Sequence, residues 1–200
     1  MTKNYSQRDI VTVDDFFALV PDGQKADLID GVIYMASPDS KRNDKLGGFI
    51  KFLVQGYAVV RGLGEVFGSR FAFELNQTRA PEPDIAFVSK ARLHLVGETR
   101  MKGAPDIAVE IVARESRTRD YLEKKNLYET AGVLEYWIID PLQRRAEFYR
   151  LIDGRFDLVP LEQNRIFRSE VLEGFWLDVE WLFADQLPSE FEKLQELLKP

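Results

Sequence analysis

The chain has 200 residues and no cysteine, with 45% hydrophobic and 30% charged positions, the composition of an ordinary globular domain. The lack of thiols excludes disulfides and cysteine-bound metals, so any ion must be held by oxygen ligands or by the one histidine, His94. A net charge of −6 argues against a high-affinity, non-specific nucleic-acid binder, whose affinity comes from neutralising phosphates, but it is compatible with a local basic patch or with carboxylates that an ion offsets.

No apolar run is long enough for a membrane-spanning helix, and the polar segment 1–10 lacks the apolar region of a secretory signal. A cytoplasmic location without membrane partners is expected. Thr12, ahead of Val13-Asp14-Asp15, reads as the cap of a short helix reaching 20, stopped by Pro21-Asp22-Gly23. Segments 25–29 and 32–36 flank Asp30-Gly31, a strong hairpin turn. Ser37-Pro38-Asp39-Ser40 then feeds a helix over 43–61. Its residues Leu46, Phe49, Ile50, Leu53, Val54 and Tyr57 recur at helical spacing, and Gly62-Leu63-Gly64 ends it.

Strands are expected at 65–67, 71–75, 83–88 and 106–112, with a brief helix over 90–96. Residues 117–131 read as one helix, capped by Ser116 and stopped by Gly132. A strand over 135–139 ends at Asp140-Pro141, and 146–151 with 156–161 form a hairpin around Asp153-Gly154. The tail carries one or two short strands and a closing helix over 189–198, where Ser189 and Glu192 have capping-box spacing. This order predicts an α/β or α+β fold: one domain over 1–200, with a mixed sheet flanked by helices and extra C-terminal strands.

Three features carry chemistry. Pro83-Asp84 opens one strand. Glu110 sits in the apolar strand Asp106-Ile107-Ala108-Val109-Glu110-Ile111-Val112, on the face shared with Ala108 and Val112. A carboxylate there is costly to bury unless it is paired or bound to a cation. On the following helix, Asp120, Lys124 and Tyr128 lie four residues apart and form one stripe, from which Lys124 can reach the sheet. Two strand carboxylates and a lysine suit a Mg²⁺ or Mn²⁺ ion and a water aimed at a phosphodiester. A buried structural ion pair between Glu110 and Lys124 accounts for the spacing equally well.

These pieces, taken in order, resemble the Uma-two family, a bacterial group within the PD-(D/E)xK, restriction-endonuclease-like superfamily. The resemblance runs from about Asp14 to Phe183. It is carried by Asp27-Leu28-Ile29-Asp30-Gly31, Ser37-Pro38, Pro83-Asp84-Ile85-Ala86-Phe87-Val88, Gly103-Ala104-Pro105-Asp106, the strand around Glu110, Asp120-Tyr121-Leu122-Glu123-Lys124 and the run from Tyr128 to Pro141. It implies an endonuclease acting on DNA, with a homodimer as the expected assembly. Asp84 and Glu110 would bind the metal, with the backbone carbonyl of Ile111 as third ligand.

In many superfamily members the lysine lies two residues after the acidic one; here that position is Val112, and the family pattern supplies Lys124 instead. The resemblance makes Asp27 a possible distal metal contact, Asp120 the residue that orients Lys124, and Tyr128 a packing residue. Asp106, on the same strand as Glu110, reads as the polar start of that strand. The chain departs from the family in having Asp27 for glutamate, Asn43 for histidine and Ala113-Arg114-Glu115 for Ser-Pro-Ser. Those departures motivate an alternative, a catalytically weak or inactive nuclease fold that binds nucleic acid or a partner.

The remaining features carry less. His94 reads as a surface residue, and Gly62-Leu63-Gly64 lacks the helix with Lys and Ser/Thr that a phosphate loop needs. Arg114, Arg117, Arg119, Lys124 and Lys125 form either a solvated face or a phosphate-contacting patch. Tyr136, Trp137 and Trp176 read as core or dimer contacts.

Overall fold

The computed structural model describes residues 10–199 except residue 22. The segment 1–10 therefore lies outside the described residues but for Ile10, as does Asp22 of the expected helix stop. The first helix, α1 (Val13–Leu19), has a reciprocal cap in which Thr12 and Asp15 each accept the other's backbone N–H. β1 (Ala26–Ile29) and β2 (Val32–Met35) pair around Asp30-Gly31, whose φ angles of 50° and 75° make the tight turn expected. α2 (Lys41–Arg61) starts slightly earlier than predicted because the Ser40 hydroxyl accepts from Asn43 N–H. It stops at Gly62, whose left-handed backbone explains the glycine that superficially suggests a phosphate loop.

Next come β3 (Gly64–Gly68), β4 (Ala72–Glu74), β5 (Ile85–Ser89), the 3₁₀ turn Lys90–Leu95, β6 (Arg100–Lys102) and β7 (Ile107–Ile111). β6 is absent from the sequence reading: in three residues only Met101 is buried, too little to register as a period. The single helix expected over 117–131 needs correction. A π-helical turn, Arg119–Lys124, interrupts it before α3 (Lys125–Ala131). β8 (Glu135–Asp140) takes in Asp140 instead of ending before it. The buried Asp140 carboxylate accepts from Leu142 N–H at 3.1 Å and Gln143 N–H at 2.9 Å, making the turn from inside the strand. β9 (Arg145–Ile152), β10 (Arg155–Leu158), β11 (Ile166–Arg168), β12 (Trp176–Asp178), α4 (Val179–Phe183) and α5 (Glu190–Leu197) complete the chain.

A six-stranded sheet in the order β10-β9-β8-β7-β5-β3 organises these elements. Only β7 and β8 are parallel neighbours in it. A parallel pair needs a crossover, which the π turn and α3 supply. Ile107, Val109 and Ile111 on one face of β7 pack with Leu46, Ile50 and Leu53 of α2 and with Trp137. Ala108 and Val112 on the other face pack with Leu127 and Tyr128 of α3 and with Tyr136. The two helices thus cover opposite faces, and the strand parity of the sequence holds. Glu110 belongs to the α3 face. Trp176 packs at 5.1 Å against Trp181, near the surface. None of the helices among the described residues is long and apolar enough to cross a membrane.

Candidate active site

β5 and β7 run antiparallel with Ile85 opposite Val109, so Asp84, just before one strand, lies beside Glu110, near the end of the other. Asp84 Oδ2 accepts the backbone N–H of Ile111 at 2.6 Å. Its Oδ1 pairs with the Lys25 ammonium. Glu110 Oε1 accepts from Lys124 Nζ at 2.8 Å and from the Tyr128 hydroxyl at 2.9 Å. Lys124 Nζ also lies 2.9 Å from Asp27 Oδ2, so the ammonium bridges β1 and β7. Asp27 Oδ1 accepts from Glu82 N–H at 2.8 Å, and Glu82 in turn accepts from Ala26 N–H at 3.1 Å. This exchange ties the first hairpin to the segment that carries Asp84.

Charge in this cluster is divided unequally. Burial alone disfavours the Lys124 ammonium, but Asp27 and Glu110 outweigh it and hold the lysine charged well above its ordinary range. Burial likewise raises the Asp27 carboxyl, yet Lys124 and Lys25 prevail and its value falls below the ordinary one. Glu110 shares the same ammonium, but burial and the nearby Asp84 push it up to about 8. Burial lifts Glu82 to about 7. Lys124 thus bridges two carboxylates of unequal acidity, Asp27 being the more firmly charged and Glu110 the more readily protonated. Lys25, Asp27, Asp84, Glu110 and Lys124 line a cleft of about 520 Å³, with Arg119 and Asp39 also on its wall.

The Uma2 family model, described as "Putative restriction endonuclease", matches residues 13–180 of the sequence. The chain belongs to the Uma2 family. A crystal structure described as a "putative nuclease belonging to DUF820" from Anabaena variabilis has the same fold. Its TM-score to this Uma2 chain is 0.72 at 16% identity, over 86% of this chain and 97% of that one. No curated protein matches the chain.

The Uma2 chain brings Asp84, Glu110, Lys124, Asp27 and Tyr128 together, with Asp120 on the wall of the same cleft. Neither a hydrogen bond nor an ion pair joins Asp120 to Lys124 among the described residues, so it acts on that ammonium only through space. Its carboxylate instead accepts from the Ser116 hydroxyl, and Asp120 Oδ1 is buried without a partner. Tyr128 does more than pack, since it donates to Glu110. Lys25 and Glu82 are absent from the sequence reading. The available signal was strand parity: Lys25 stands two residues before Asp27, and Glu82 two before Asp84.

The basic cluster disperses. Lys124 is only 2% exposed, Arg117 pairs with Asp140 at 3.4 Å, and Lys125 sits 3.8 Å above the Tyr149 ring. Arg119 lies 3.8 Å from Asp27 and over the Tyr34 ring. Asn43 donates to Val112 O at 3.3 Å and so ties the end of β7 to α2. Asp106 accepts from Arg92 at 2.9 Å and Ser89 N–H at 2.6 Å, fixing the start of its strand. His94 is exposed, its Nδ1 lying 3.0 Å from Ala91 O.

Among the described residues no group of three or more His, Cys, Asp or Glu side chains is placed to hold an ion. The donors present are two carboxylates on adjacent strands, one of which already accommodates the Lys25 cation. That set fits a small divalent ion which keeps most of its waters, since Mg²⁺ asks for only one or two protein carboxylates.

Proposed function

We propose that this Uma2 chain is a Mg²⁺- or Mn²⁺-dependent endonuclease that hydrolyses DNA phosphodiester bonds. It acts as a single cytoplasmic domain over 1–200 and pairs with a second copy to address two strands. The observation that carries this reading is the meeting of Asp84 and Glu110 across β5 and β7 under the Lys124 ammonium. Asp84, Glu110 and the Ile111 carbonyl would hold the ion, whose chemistry is to polarise a phosphoryl oxygen and acidify a bound water. Lys124 orients the attacking water and offsets charge on the phosphate. Asp27 keeps Lys124 in place and is its counter-ion, not a metal ligand. Tyr128 fixes the orientation of Glu110. Asp120 shapes the helix beside them.

Purified protein with Mn²⁺ should nick or cut plasmid DNA, and Asp84→Ala should lose that activity while melting as a folded protein. Equal activity of the two proteins would sink the catalytic reading. A non-catalytic nuclease fold that binds nucleic acid or a partner is the second reading, favoured by the Lys25 cation on Asp84 and by the net charge of −6. Calorimetry separates the two: a folded chain that takes up neither Mg²⁺ nor Mn²⁺ supports the second.

A further inference from the structure

Lys25 is the residue of the cleft that the reading above leaves without work. Its ammonium pairs with Asp84 Oδ1 and with no other carboxylate among the described residues. The other Asp84 oxygen is taken by Ile111 N–H, so both are engaged. Each carboxylate oxygen keeps a second lone pair, so a divalent ion can still join Asp84, but it then lies within a few ångströms of the Lys25 ammonium. Two cations on one carboxylate repel, and the weaker-held one leaves.

Lys25 is built to leave. Its side chain is 19% exposed and lies on the wall of the cleft. Lys124 is 2% exposed and held between Asp27 and Glu110, so moving it would strand two buried carboxylates. The flexible four-carbon stem of Lys25 lets its point charge follow an anion over several ångströms. Once the ion has entered, a phosphate group that the ion attracts offers the displaced ammonium a new anion, alongside Asp39 on the cleft wall.

We propose that Lys25 couples ion binding to phosphate binding. In the free protein it occupies the ion's place on Asp84, and it moves to a phosphate oxygen of the substrate strand when the ion enters. This rests on the metal-dependent reading above. The free protein then binds a divalent ion weakly, and the ion and the strand favour each other to the same degree, as linkage requires. Lys25 thereby makes loading of the site depend on the presence of substrate.

The test is calorimetric titration of Ca²⁺ into the full chain and into Lys25→Gln, each with and without a short DNA duplex. Lys25→Ala is carried in parallel, and thermal melts establish that the variants fold. Without DNA, both variants should bind Ca²⁺ about tenfold more tightly than wild type. The duplex should tighten Ca²⁺ binding by about tenfold in wild type and leave the variants nearly unchanged. Equal Ca²⁺ affinity of wild type and variants overturns the assignment, as does an equal effect of the duplex on both or a duplex that binds neither. In those cases ion binding persists and the metal-dependent reading survives. If no protein takes up Ca²⁺ or Mn²⁺, that reading falls and the role of Lys25 falls with it.

Discussion

Tyr128 donates its hydroxyl hydrogen to the same Glu110 oxygen that accepts from Lys124, at 2.9 Å and 2.8 Å respectively. One carboxylate oxygen is thus gripped from two successive turns of the crossover helix. Tyr128→Phe removes one grip and leaves the other. The expected cost is about 1 kcal/mol of stability, seen as a melting point lower by about 2–4 °C. A variant that melts with wild type would show that the bond contributes nothing net.

Lys124→Met should be far more costly. Asp27 and Glu110 would be left buried without their ammonium, a situation that costs about 3–5 kcal/mol. Urea unfolding of the metal-free protein measures it. Adding Asp27→Asn and Glu110→Gln to the same chain should recover most of the loss, because no unpaired charge remains. A triple variant as unstable as the single one would shift the cause from charge to packing.

Stability without metal should fall as pH rises from about 4.3 to about 8. Glu110 is pushed up to about 8 and Glu82 to about 7 by burial, whereas unfolded glutamates titrate near about 4.3. Over that window the folded chain keeps protons that the unfolded chain has released, so rising pH favours unfolding. Asp27, held below its ordinary value, works in the other sense, and its contribution is lost in acid below about pH 4. Melting curves at pH 5 and pH 8 should show the higher midpoint at pH 5. Glu110→Gln should flatten the difference, and Mn²⁺ should restore stability at pH 8 by binding the ionised carboxylates. A midpoint that rises steadily from pH 5 to pH 8 in metal-free buffer contradicts this account.

Two glycines should respond oppositely to alanine. A Cβ at Gly64 would lie 2.1 Å from Val88 O and 2.9 Å from Ser89 Cα, so β3 has to lift away from β5. The expected penalty is about 1–3 kcal/mol. A Cβ at Gly48, inside α2, meets nothing within 4 Å. Gly48→Ala should stabilise by about 0.5–1 kcal/mol through helix propensity alone. Denaturant midpoints of the two variants on opposite sides of wild type are the outcome to look for.

The site was largely legible where local periodicity and family motifs both spoke. Alternation in the strand 106–112 placed Glu110 away from Ile107, Val109 and Ile111, and the packing of β7 follows that division. Asp106 shares a strand with Glu110, whereas the β5–β7 pairing sets Asp84 beside Glu110 from a neighbouring one. Long-range partnership was not legible. Asp27 lies far from Lys124 in sequence, and nothing local indicates that they meet at 2.9 Å. The π turn was not legible either, because helical spacing assumes a uniform period and nothing in the pattern marks the departure across 119–124. β6 and α4 were missed because they are short and their burial is set by neighbours rather than by their own pattern.

That wide turn also gives the chain one place where its length can change. A π turn holds one more residue than an ordinary helical turn, so a chain one residue shorter between 119 and 124 can close into a regular helix without rotating what lies on either side of it. The strands on either side, pinned by their own pairing, would keep their positions. Lys124 and Tyr128, at the regular end of the turn, would keep facing Glu110. A single-codon deletion here is thus a route by which the chain could lose its wide turn while keeping its architecture and its charge cluster.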